Sequence, residues 1–259
     1  MKIPFLLLTL ILSIGCSKTP KPDVQEVKES KGPSVQELFI SGNKHLEAKE
    51  WKKAIAVYKK AENVEKRWDI YLNRGIAEIQ AGDFNDALNS FDLALKNGGD
   101  KEPVVYFNLG NLYQERGLYQ QAVDSYRAGL VYVPAGESSI DMIINLGASY
   151  VFLRQWDAAN ETYTYLQTQA PNNPAALHGL GMVLQMQGKY LKAIEKYDQV
   201  TNAFPKFAMS HYTKAQCFAA KKKYKEAITS YQAYKRVFPD SKYLARVDAI
   251  IKKYESKLK

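Results

Sequence analysis

The side chains of this 259-residue sequence that could do chemistry are two cysteines, three histidines, a recurring set of asparagines and a cluster of lysines. His45, His178 and His211 lie far from one another and from either cysteine, whereas metal ligands recur within a few residues of each other. No phosphate-cradling glycine loop, dinucleotide-binding glycine pattern or nucleophile elbow is present. The sequence therefore predicts a chain that is not an enzyme and takes no metal or dissociable cofactor. Cys217, among Ala215, Phe218 and Ala219, reads as a small buried apolar group, and two cysteines make no disulfide framework.

Cys16 has a different setting. Met1-Lys2 and a twelve-residue apolar stretch from Ile3 to Ile14 precede it, short of the ~20 residues that span a bilayer but suited to the core of a signal peptide. Leu12-Ser13-Ile14-Gly15-Cys16 resembles the bacterial lipobox, although Ser13 stands where Leu is usual. That resemblance implies cleavage after residue 15, with a covalent diacylglycerol and an acyl chain on Cys16 as the only added groups. Ordinary secretion, or an uncleaved anchor, with Cys16 incidental is the alternative. Ser17, in place of the Asp of inner-membrane retention, implies an outer-membrane location facing the periplasm, with the cell surface as the other option. Residues 16–33, rich in Pro, Lys and Glu, read as a disordered tether.

The elements that must position everything else follow from a repeat. Gly42, Gly75, Gly110, Gly147 and Gly181 recur at intervals of 33, 35, 37 and 34, with Ala215 in the sixth place. An aromatic residue stands nine positions after each (Trp51, Phe84, Tyr119, Trp156, Tyr190, Tyr224), and an alanine stands twelve after, from Ala54 to Ala227. A second aromatic stands sixteen after: Tyr58, Phe91, Tyr126, Tyr163, Tyr197 and Tyr231. Prolines 134, 171, 205 and 239 close the last four units.

These residues resemble the tetratricopeptide repeat across 34–239. The resemblance implies an all-α solenoid, a right-handed superhelix of six helical hairpins over about 35–67, 68–102, 103–137, 138–173, 174–207 and 208–240. An amphipathic helix within 241–259 would cap its open end. Small residues would let the paired helices approach and aromatics would fill the gaps between hairpins. Ser34 with Glu37, Asn173 before Pro174 and Ser138 with Asp141 read as helix starts.

In this family the first helices line a concave groove. Asn73, Asn108 and Asn145 lie two residues before the marker glycine, and Asn43 and Asn111 one residue after it. Their side-chain amides could hold an extended peptide backbone, or the residues could be consensus features only. Asn43 and Asn73 match the asparagines of the carboxylate clamp of cytosolic co-chaperones, but Phe39, Val104 and Asn108 occupy its cationic places, which argues against a carboxylate ligand.

The net charge of +9 is concentrated in residues 206–259, which hold 14 basic and 4 acidic side chains. Lys221, Lys222, Lys223, Lys225, Lys252 and Lys253 form either a solvated cap or a surface for an anionic partner. A signal sequence argues against nucleic acid. The resulting expectation is a lipid-anchored scaffold holding other envelope proteins in its groove, in outer-membrane, pilus or cell-wall assembly. A transporter accessory that binds a small hydrophobic ligand or a solute-binding protein is the alternative.

Overall fold

The structure is a computed structural model and describes residues 32–134 and 139–259. Cys16, the signal segment, the tether up to residue 31 and the loop at 135–138 lie outside the described residues. Every regular element among the described residues is helical. Six hairpins follow in order: α1 (Val35–Glu47) with α2 (Trp51–Val64), α3 (Trp68–Ala81) with α4 (Phe84–Ala94), and α5 (Pro103–Glu115) with α6 (Tyr119–Val131). Next come α7 (Ile140–Phe152) with α8 (Trp156–Gln169), α9 (Pro174–Met186) with α10 (Tyr190–Ala203), and α11 (Ala208–Ala220) with α12 (Tyr224–Val237). A last helix, α13 (Leu244–Glu255), packs on α12 through Val247 and Ile251.

Five of the six hairpins close on one kind of contact. A Cβ added to Gly42 would lie 2.4 Å from the Tyr58 ring, and one on Gly110 would lie 2.4 Å from the Tyr126 ring. Gly75, Gly147 and Gly181 meet Phe91, Tyr163 and Tyr197 in the same way. These rings therefore seat on the bare backbone of their own hairpin's first helix, where the sequence had suggested a filling of gaps between hairpins. Tyr163 does both, since a Cβ on Gly179 of the next hairpin would lie 2.3 Å from it. In the sixth hairpin Ala215 carries a Cβ, and Tyr231 sets its ring edge-on to Tyr212 at 5.5 Å. The six repeated alanines are fully buried beside these rings.

The turns are equally regular. The residue seven after each marker (Lys49, Gly82, Gly117, Arg154, Gly188, Lys222) has positive φ, 58–59° in the three that are not glycine. The following N–H reaches back to a carbonyl of the first helix at 2.8–2.9 Å in all six, as in Glu50 to His45 and Lys223 to Phe218. This is the Schellman closure, which satisfies the last carbonyls of one helix while starting the next. The three side chains forced into the left-handed region are all cationic, and a cation at a helix C-terminus offsets part of that strain.

Ser34 and Glu37 form the complete capping box, and Asn173 Oδ1 accepts from Ala175 N–H at 2.9 Å. The start read at Ser138 is corrected: α7 begins at Ile140 with Ser139 as its cap residue and no side-chain capping bond, while Ser138 itself is outside the described residues. First helices of successive hairpins touch one another (α1 with α3, and so on to α9 with α11), whereas contacts between successive second helices are sparse or absent. The first helices therefore form the inner side of the curve.

A turn position that prefers glycine can be tested directly. Arg154→Gly should stabilise the chain by up to about 1 kcal/mol and Gly117→Ala should destabilise it by about 1 kcal/mol, because no atom lies near the Gly117 Cβ position and only the backbone conformation resists. Urea unfolding curves with unchanged slope measure both.

Candidate protein-binding face

The inner side presents the asparagines singled out in the sequence, and the structure divides them. Asn43 Oδ1 accepts from the Tyr58 hydroxyl at 2.6 Å and from Asn73 Nδ2 at 2.9 Å. Two hairpins further on, Asn111 Oδ1 accepts from the Tyr126 hydroxyl at 2.8 Å and from Asn145 Nδ2 at 2.8 Å. Each trio ties the buried ring of one hairpin to the first helix of the next. Burial raises the pKa of both tyrosines, and the neighbouring Asn73 and Asn145 amides offset part of that shift. A buried hydroxyl without a partner would cost about 1–3 kcal/mol, so the asparagine oxygen is needed where it stands.

Asn108 is not part of such a trio. The equivalent of Asn43 in the preceding hairpin is Ile76, which has no acceptor, and Asn108 donates instead to Val104 O in its own helix at 2.8 Å. That same hairpin carries Phe91, which has no hydroxyl to satisfy. The covariation within one chain is the signal that could have exposed the trios: Asn after the glycine goes with Tyr sixteen after it, and Ile goes with Phe. In the fifth hairpin Gln185 takes the role, accepting from the Tyr197 hydroxyl at 2.7 Å and donating to Gln216 at 3.3 Å.

Each trio uses only half of each side-chain amide pair. Asn43 Nδ2 and Asn73 Oδ1, and likewise Asn111 Nδ2 and Asn145 Oδ1, take no hydrogen bond among the described residues, and all four side chains are half-exposed. Beside them Ile40 and Val104 are 46% and 40% exposed on first helices. An open cleft of about 370 Å³ lies at the starts of α5 and α7, bounded by Pro103, Val104, Phe107, Ile140, Asp141 and Met142. The inner side thus offers donors, acceptors and apolar side chains along an extended line.

A buried ionic cluster in the second hairpin was missed in the sequence. Arg74 contacts Glu62 of α2, Glu78 at 3.3 Å and Ser90 of α4 at 2.9 Å, and lies over the Tyr71 ring. It joins α2 and α3 by charge and reaches α4 through the Ser90 hydroxyl, and burial raises the pKa of Glu78.

The other candidates take no part in the asparagine trios. His45 pairs with Glu50 at 2.6 Å, and His211 with Pro205 O at 3.0 Å. His178 is buried against Tyr197 and Phe207 with its Nδ1 2.9 Å from Ser210. Cys217 is fully buried, and burial pushes its thiol up to about 12. Among the described residues no group of three metal-binding side chains converges. Lys221, Lys222 and Lys223 form the turn before α12, Lys225 lies in its first turn, and Lys252 and Lys253 lie in the last turn of α13.

Comparison with known proteins agrees with this geometry. A tetratricopeptide repeat family model matches residues 72–138, and the model of anaphase-promoting complex, cyclosome, subunit 3 matches 153–234. A solved tetratricopeptide repeat protein from Parabacteroides merdae superposes with a TM-score of 0.71 at 18% identity, over 87% of this chain and 93% of that one. The chain is a tetratricopeptide repeat protein. Among curated relatives of this tetratricopeptide chain, the BBSome complex member BBS4 of Bos taurus is 28% identical over 196 residues, 75% of this chain. The photosystem I assembly protein Ycf3 of Prochlorococcus marinus is 26% identical over 116 residues, 45% of this chain and 66% of its own length. The chain spans only 36% of the bovine protein. Tetratricopeptide repeats mediate protein–protein interactions, and that is the function class of this chain.

Two measurements follow. Asn43→Leu should cost about 2 kcal/mol by stranding the Tyr58 hydroxyl, and adding Tyr58→Phe should recover at least about 1 kcal/mol, as the Ile76 and Phe91 combination does naturally. A denaturant double-mutant cycle reads this coupling. For His178, burial lowers the pKa from 6.5 to about 4, so the unfolded chain takes up the proton first. Its contribution is complete above pH 6.5 and is lost as pH falls toward 4, a loss of about 3 kcal/mol that His178→Gln should flatten in pH-dependent melts.

Proposed function

We propose that this chain is a lipid-anchored scaffold of the bacterial cell envelope, tethered through Cys16 and holding partner proteins along the inner side of its solenoid. The observation that carries the reading is the row of half-used amides on the first helices, with Ile40 exposed on α1 and Val104 on α5. An extended peptide presents alternating N–H and C=O groups, and this row presents their complements at successive hairpins. Two relatives named above are a complex member and an assembly protein, which fits a role in building assemblies. The lipobox-like Ser13-Ile14-Gly15-Cys16 supports the anchor, and Ser17 supports the outer membrane, facing the periplasm.

The structure changes the choice of test. Replacing Asn73 and Asn145 would loosen the solenoid as well as the groove, so exposed positions are preferable. Ile40→Glu with Val104→Glu should remove the prominent envelope proteins recovered by crosslinked pull-down while leaving the thermal melt unchanged. Unchanged partners would reject the inner side as the working surface. Independently, Cys16→Ser should abolish labelling by a palmitate analogue and release the chain from the membrane fraction; persistent labelling would reject the anchor.

A further inference from the structure

Two lysine-rich segments some thirty residues apart become one surface at the C-terminal end of the solenoid. Tyr224, the first residue of α12, stacks on Tyr254 of α13 with ring centroids 5.1 Å apart. Lys257 Nζ sits 4.8 Å from the centre of the Tyr224 ring and donates to its hydroxyl at 3.3 Å. The end of α13 is thereby pinned beside the turn that carries Lys221, Lys222 and Lys223, with Lys225 just inside α12. Lys253 lies in the last turn of α13, and Lys257 in the turn that follows it. Lys252 falls on the neighbouring stripe, four residues after Asp248, which pairs with Lys235.

None of Lys221, Lys222, Lys223, Lys225, Lys253 and Lys257 has an ionic partner among the described residues, and all six are exposed. Glu226 and Glu255 are the acidic residues in these segments, so the balance stays strongly positive. Lys222 also holds the strained left-handed turn position, φ 59°, where three other hairpins have glycine.

We propose that this face docks on an anionic phospholipid surface, independently of the partner-binding inner side. The residue chemistry selects that partner. All six cations are lysines, compact point charges that suit a diffuse layer of phosphates, and the planar fork with which arginine grips a single carboxylate is absent from these segments. Leu258, 54% exposed beside Lys257, adds an apolar side chain able to enter the headgroup boundary. The attraction acts only within about 8 Å at physiological salt, so the face must lie on the bilayer to use it.

The test uses the full chain carrying Cys16→Ala, so that no acyl chain contributes, with vesicles of phosphatidylcholine containing or lacking phosphatidylglycerol. Retention is expected only on phosphatidylglycerol vesicles and should fall as salt rises. Lys222→Gln, Lys223→Gln, Lys225→Gln and Lys253→Gln combined should weaken it at least about 100-fold, each lysine near such a surface contributing roughly fivefold. Removing the same charge from the first hairpin, by Lys44→Gln, Lys52→Gln, Lys59→Gln and Lys60→Gln, should leave retention near wild type. Equal losses in the two variants would reduce the effect to net charge and overturn the proposal. So would failure to bind anionic vesicles, or capture of polyglutamate in their place, which would assign the face to an acidic polypeptide. Unchanged thermal melts would show that both variants fold.

Discussion

The contact between an aromatic ring and a bare glycine backbone inside five of the six hairpins is what the rest of this protein depends on. It sets how closely the two helices of a hairpin lie, because a methyl group at Gly42 or Gly110 would enter the ring itself. A ring held that deep has its hydroxyl buried, and a buried hydroxyl needs an acceptor. In two hairpins the acceptor is the asparagine just after the glycine, whose oxygen also takes the amide of an asparagine in the next hairpin. A local packing constraint thus becomes a bond between repeats. Since the bonded helices are the first helices, the same chain of necessity brings them together along the inner side.

The consequence for function is that the inner side does two jobs. Its asparagines hold the stack, and in the proposed reading the donors and acceptors they leave unused serve the partner. This explains why the amide row is interrupted at Ile76 without a break in the solenoid: Phe91 removes the need for an acceptor there, and the Arg74 cluster supplies a different tie across α2, α3 and α4. It also means that a loss of partner binding on changing Asn73 or Asn145 would not by itself identify a ligand contact.

Much of this was legible in the sequence because it is written six times. The glycine, the alanine and the two aromatics recur at fixed offsets, so the helices, their pairing and the buried positions could be read directly. Features that occur once or change identity were not legible. The left-handed turn residue is glycine in three hairpins and Lys or Arg in three, so composition hides a position that the backbone treats uniformly. Arg74 looks like any surface arginine until α2 and α4 bring Glu62 and Ser90 against it. The start of α7 was misplaced because Ser138 and Asp141 mimic a cap, while the chain leaves the longer connection one residue later. The union of the two lysine segments depends on Tyr224 meeting Tyr254 and Lys257, which no local pattern announces.

The central claim, that partners are held on the side where first helices meet, is tested most directly by site-specific photocrosslinking in the native envelope. A photoreactive residue at Val104, exposed on the inner side, is compared with one at Tyr165, 53% exposed on α8. The account predicts discrete protein adducts from position 104 and none from position 165. Adducts arising from position 165 alone would contradict it and place the working surface on the second helices.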